Sequence, residues 1–148
     1  MDNFLFSKIR RVKSPDRKNK FDAGLDFYIP DDFKEVVLMH GQSILIPSGI
    51  KVNIPKNFVF IAFNKSGVAS KKKLDVLASV IDEIYQGEIH INLINNGEEP
   101  QIISPGDKII QFLLLPISYQ TPIEVLVKDL YKESSDRGEN GFGSTGEK

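Results

Sequence analysis

Residues 43–55 read SILIPSGIKVNIP, and the spacing of their apolar side chains decides the fold class. Ile44, Ile46, Ile50, Val52 and Ile54 alternate along the run, on either side of Pro47-Ser48-Gly49. A period of two sets one face of a strand on a core and the other in solvent, and the Pro-Ser-Gly turn divides the run in two. The same texture continues outward. FVFIAF (58–63) is apolar on both faces, as a buried strand would be. GEIHINLI (87–94) sets Ile89, Ile91 and Leu93 against Glu88, His90 and Asn92, and the turn Asn95-Asn96-Gly97 follows. KIIQFLLLP (108–116) and IEVLVKDL (123–130) predict two more strands, and shorter ones fit near residues 4–12, 25–29 and 35–39. Turn chemistry at Pro30-Asp31-Asp32 and Pro105-Gly106 punctuates them at short intervals. Many short strands at such spacing point to an all-β sandwich, jelly roll or closed barrel rather than to alternating strands and helices. One short helix is expected from Ser66 to about Leu77, a stretch without proline whose first serine can cap it and whose middle carries Lys71-Lys72-Lys73. The lysine run fits a solvated face.

The totals fit one soluble domain. The 148 residues are 41% hydrophobic and 26% charged, enough to bury a core. A formal net charge of −1 provides no basic field, so neither nucleic acid nor a membrane is an expected partner. The absence of cysteine excludes disulfides, thiolate metal sites and cysteine nucleophiles. The opening MDNFLFSKIRRVK reaches charged residues too soon for a secretory leader, and no run is long enough to span a bilayer. A cytoplasmic protein is expected. Apolar residues thin out past Asp129, so residues 1–131 read as the core and 132–148 as a flexible arm.

Five segments carry candidate chemistry. In AGLDFYIP, Gly24 allows a sharp turn and Asp26 stands where a strand begins; its carboxylate can hold a hydrated magnesium ion, although aspartates are common in turns. In FNKSGVAS, Ser66 can give its hydroxyl to a phosphate oxygen while Lys65 supplies charge, or the pair is an ordinary helix start. SVIDEIYQGEIHINL reads as a hairpin whose polar tip holds Asp82, Glu83, Tyr85, Gln86 and Gly87. Asp82 is ionised at neutral pH and can serve as a general base, and Tyr85 presents a flat ring to a sugar or base; acidity for solubility alone is the plain alternative. In SPGDKIIQFLLLP, Gln111 is an amide within an apolar strand and needs a partner, structural or substrate. His90 and His40 show no metal-ligand spacing. The last stretch, RGENGFGSTGEK, combines four glycines with Arg137, Ser144 and Thr145, the parts of a phosphate cradle, and with Phe142, a ring that gains nothing until it stacks. It can equally be a frayed end.

The order AGLDF, NKSGVA, VIDEIYQGEI, GDKIIQF, RGENGFGSTG resembles the five ordered motifs of homotrimeric deoxyuridine triphosphatases (dUTPases) across residues 23–146. The third and fifth motifs are the most specific. The resemblance implies a distorted jelly-roll barrel whose C-terminal arm is exchanged in a homotrimer with shared active sites. It implies hydrolysis of dUTP to dUMP and pyrophosphate, which keeps uracil out of DNA and supplies dUMP for thymidylate synthesis, with magnesium as cofactor. By the same resemblance Asp82 is the general base, and Asp26 holds the magnesium through water. Lys65, Ser66, Gly67 and Gln111 hold phosphate oxygens, with Ser66 and Gln111 also helping to place the water. Tyr85 packs on the deoxyribose, while Ser79, Val80, Ile81, Asp82 and the region of His90 read the uracil edge. Arg137 binds the γ-phosphate, Phe142 stacks on the uracil, and Gly143, Ser144 and Thr145 wrap the triphosphate. If the source is viral, the compartment is the host cytoplasm.

This chain departs from the family pattern at Lys65, where arginine is usual, at Asn64, where proline is common, and at Leu77, Ser79 and Asn140, where glycines are usual. Lysine keeps the charge and loses the planar fork. Two alternatives share the fold. A dCTP deaminase, alone or bifunctional, needs a glutamate as proton shuttle where Asn92 stands; a nucleotide-sensing, partner-binding module would not need Asp82, Arg137 and Phe142 all in place.

Overall fold

The computed structural model describes residues 4–136, 138 and 139. Its strands are β1 (Leu5–Lys8), β2 (Leu25–Phe27), β3 (Val36–Leu38), β4 (Ser43–Pro47), β5 (Ile50–Asn53), β6 (Phe58–Asn64), β7 (Leu74–Val76), β8 (Val80–Ile81), β9 (His90–Asn95), β10 (Gln101–Ile103) and β11 (Ile110–Pro116). Two short helices accompany them, α1 (Ser66–Lys72) and α2 (Val127–Leu130). The strands form antiparallel sheets β2-β11-β6-β8, β4-β9-β7, β1-β5 and β10-β3, a distorted jelly roll. A compact unit ending at Ser118 carries all of these strands, and the residues from Tyr119 form a second unit that contains α2.

The two halves of the 43–55 stretch keep their alternation but do not pair with each other. β4 lies against β9, with Ile46 opposite Ile91, whereas β5 lies against β1, with Val52 opposite Phe6. The chain changes sheets at Ser48-Gly49, where Gly49 takes φ +76°, a region costly for any residue with a Cβ. Ile89 spans the change: its carbonyl accepts from Ser48 N at 3.0 Å and its N–H donates to Ile50 O at 2.8 Å. Ile46, Ile50 and Ile91 are almost fully buried on either side. The core is rich in aromatic rings. Phe112 lies 4.5 Å from Phe27 and 4.9 Å from Phe60 by ring centroids, which knits β2, β11 and β6 together. Burying each such ring stabilises the fold by roughly 1.5–3 kcal/mol relative to exposure.

Four local expectations change. The helix ends at Lys72 rather than near Leu77, because Lys73 turns left-handed (φ 55°) and Leu74 enters β7. Ser66 is its first helical residue, and Lys65 occupies the N-cap position without a side-chain cap. Residues 123–130 form no strand: Ile123 to Leu130 are exposed and the last four make one helical turn, since β-branched content alone does not make a strand. The segment around Asp82 is not a closed hairpin either. Val80-Ile81 pairs with β6, and β9 pairs with β4 and β7, so residues 82–89 cross from one sheet to another.

Candidate functional site

Two concave regions in the strand-bearing unit collect the candidate residues. The first is a basin lined by Lys18, Asp22, Ala23, Gly24, Asp26, Lys65, Lys108 and Gln111. Asp26 is placed in the middle of β2 by register, opposite Gln111 on β11, and is only 5% exposed. Lys108 Nζ donates to its Oδ2 at 2.7 Å and Lys65 Nζ donates to its Oδ1. Burial works against the charge of Asp26, but the hydrogen bonds from Lys108 and Lys65 outweigh it and hold the carboxyl below the ordinary carboxylate value. The same contact with Asp26 raises the ammonium of Lys108. Gln111 donates its amide to Asn64 O at 2.8 Å, which answers the need of an amide in an apolar strand. Gly24 makes room for it, because a Cβ there would stand 2.0 Å from Gln111 Oε1.

The second region is a cleft of about 200 Å³ lined by Leu45, Ala78, Ser79, Val80, Ile81, Asp82, Tyr85, Glu88, Ile89, His90, Asn92 and Phe112. That is below the roughly 300–1,000 Å³ of a drug-sized site, so it suits one small ring system rather than a whole nucleotide. Asp82 is exposed at its rim, and its carbonyl accepts from Tyr85 N at 3.0 Å, which turns the tyrosine toward the cleft. Tyr85 Oη donates to Glu88 O at 2.9 Å. Ser79 O is engaged by Ala62 N at 2.9 Å, tying the loop that carries a serine in place of glycine to β6. The His90 ring bonds Glu88 O, and His40 bonds Gly97 O at 3.0 Å, so both histidines act locally. Asn92 presents an amide to the cleft wall.

The structure thus brings Asp26, Lys65 and Gln111 together in one place and Ser79, Val80, Ile81, Asp82, Tyr85 and His90 in another. The two linings share no residue. Ser66 and Gly67 are exposed at the first turn of α1, next to Lys65 but outside the basin's lining. Arg137, Asn140, Phe142, Gly143, Ser144 and Thr145 lie outside the described residues. Sequence reasoning missed Lys108, whose signal was a lone cation three residues before Gln111. It also left Asn64 without a role. The Asn64 side chain accepts from Val76 N at 2.9 Å and donates to Asp75, bracing the β6–α1 junction against β7. Among the described residues no group of three or more His, Asp or Glu could hold a metal ion, and no helix is long and apolar enough to cross a membrane.

A jelly roll with a base-sized cleft and a separate lysine-carboxylate basin is the class that the geometry defines. The dUTPase family model matches residues 10–146. The chain is 38% identical over 136 residues to the deoxyuridine 5'-triphosphate nucleotidohydrolase of variola virus, covering 92% of this chain and 87% of that protein. It is also 38% identical over 146 residues to that of Clostridium acetobutylicum, covering 94% and 95%. A solved Staphylococcus bacteriophage 80alpha dUTPase, a G164S mutant with dUpNHpp, superimposes with a TM-score of 0.84 at 25% identity and covers 99% of both chains. This chain belongs to the dUTPase family.

Proposed function

We propose that the chain hydrolyses dUTP to dUMP and pyrophosphate. The observation that carries this reading is that Asp82 and Tyr85 stand on the wall of one base-sized cleft, in a chain of the dUTPase family. Asp82 is the general base that takes the proton of an attacking water, a role typically worth about 10²–10⁴-fold in rate. Its exposed position at the rim supports this, since the water it activates must reach the α-phosphorus outside the cleft. Ser79, Val80, Ile81 and the His90 region read the uracil edge, and the apolar wall leaves little space for the methyl of thymine. Tyr85 packs on the deoxyribose and excludes a 2′-hydroxyl. Lys65, Ser66, Gly67 and Gln111 hold the phosphates and help place the water, with Arg137, Phe142, Gly143, Ser144 and Thr145 completing the enclosure from the arm, residues 132–148.

Asp26 is a single carboxylate with both oxygens already on lysines, so it fits a magnesium ion held chiefly by the triphosphate and touched through water, not an all-protein cage. When bound, the ion would neutralise phosphate charge and favour in-line geometry. Because basin and cleft share no lining residue, we propose that each active site joins the basin of one subunit to the cleft of another in a homotrimer. Asn92, an amide, gives a deaminase no carboxylate to shuttle protons. The test is a nucleotide panel with magnesium and pyrophosphate detection. dUTP is expected to turn over, with UTP, dCTP and dTTP far poorer; equal turnover of dUTP and dTTP would refute the specificity, and ammonia from dCTP would point to the deaminase.

A further inference from the structure

Residues 82–89 carry no strand ladder, yet a ring that discriminates sugars must be held firmly. Two glutamates supply the hold. At one end Glu83 Oε2 accepts from Asn57 N at 2.6 Å; at the other Glu88 Oε1 accepts from Gly49 N at 2.7 Å. Asn57 (φ 64°) and Gly49 (φ 76°) are the left-handed residues of the turns that bracket β5, so the segment is suspended between the two ends of a single paired strand. Bonds from an N–H to a carboxylate are short and roughly twice as strong as neutral ones. The Glu88 side chain is 16% exposed, and Arg10 Nε donates to the same oxygen at 3.1 Å. Its backbone carbonyl is the acceptor for Tyr85 Oη. The tyrosine hydroxyl is therefore pinned to the residue that Gly49 and Arg10 pin.

We propose that Glu88, assisted by Glu83, is a positioning residue that fixes the Tyr85 ring and thereby sets discrimination against a 2′-hydroxyl. This rests on the reading that Tyr85 faces the deoxyribose. Glu88→Ala removes both side-chain bonds; Glu88→Gln keeps an acceptor for Gly49 and loses the ion pair with Arg10. In Glu88→Ala the ratio of kcat/KM for dUTP over UTP is expected to fall about tenfold or more, the scale on which a loosened pocket stops rejecting one added hydroxyl. Glu88→Gln should fall between this variant and the parent. A structural role alone would lower both nucleotides together and leave the ratio unmoved.

A second measurement is independent of turnover. In protein carrying 3-fluorotyrosine, the fluorine resonance of Tyr85, assigned by its loss in Tyr85→Phe, should broaden or shift in both Glu88 variants. If Glu88→Ala does not fold, Glu88→Gln carries both readouts. An unchanged nucleotide ratio or an unchanged Tyr85 resonance in a folded variant overturns the proposal. Absence of dUTP turnover in the parent protein would instead overturn the proposed function, while the resonance still tests the anchoring.

Discussion

The basin and the cleft hold their residues in place by different means. Around Asp26 the order comes from charge: two ammonium groups reach one buried carboxylate from the N-cap of α1 and from the approach to β11. Around Tyr85 it comes mainly from backbone groups: those at Ser79, Asp82, Glu88, Gly49 and Asn57 are paired, the last two with the carboxylates of Glu88 and Glu83, and the walls are largely apolar. Charges held by other charges can be exchanged for a triphosphate and its cation, because one set of ion pairs replaces another. A backbone frame has no such freedom and so is suited to rejecting the wrong base or sugar. On the proposed function, affinity would fall to the first region and selectivity to the second.

The largest effect that could break this division is in the cleft. Asp82→Asn keeps the size of the side chain and removes the proposed base, so kcat should fall by about 10²–10⁴-fold while a non-hydrolysable dUTP analogue still binds within a few-fold of the parent. Calorimetric titration beside a pyrophosphate assay checks both halves; near-normal turnover would mean that the base lies elsewhere. An intermediate effect belongs to the basin. In Gly24→Ala the three nearest atoms to the new Cβ all belong to the Gln111 side chain, its own Cβ included, so the fold should lose about 1–3 kcal/mol from the broken Gln111–Asn64 hydrogen bond and the crowding. Turnover of dUTP should nevertheless drop by roughly ten- to a hundredfold, since a misplaced group costs catalysis more than stability. Thermal unfolding and kcat/KM, measured together, separate the two.

The smallest effect sharpens the account of charge behind the basin. Tyr28 Oη donates to Asp16 at 2.7 Å and accepts from Lys13 at 2.7 Å. The hydrogen bond from Tyr28 holds the Asp16 carboxyl below its usual value. A depressed folded-state value contributes stability that is present above the unfolded value of about 3.9 and is lost as pH falls through the lower folded one. Tyr28→Phe should therefore be slightly less stable than the parent near neutrality, with the difference closing as unfolding is measured at progressively lower pH below that value. A gap that stays constant into acid would place the effect in packing instead.

In β4, β5 and β9 period two told which face is buried, and Ile46, Ile50, Ile91 and Leu93 are where alternation puts them. It could not tell partners. Nothing in SILIPSGIKVNIP says that its halves join different sheets, because alternation fixes a face and leaves the neighbour open. Nor could it find Gln101–Ile103, three residues paired with β3 and too few to show a period. In the same way, residues of one short motif (Asp82, Tyr85, Gly87) could be picked out by their order, whereas Lys108 on Asp26 and Glu88 on Gly49 depend on approaches across 82 and 39 positions of chain. The left-handed Lys73 that ends α1 has no glycine to announce it.

Gln111 and Phe112 are neighbours on β11, yet one lines the basin and the other lines the cleft. Inserting or deleting one residue within that strand would exchange the two walls at a stroke, placing a ring where an amide is needed and the reverse. Natural length variation in relatives of this chain should therefore collect in its turns, at Pro105-Gly106 and beyond Pro116, and spare the strand between them. The inheritance of both regions hangs on the parity of seven residues.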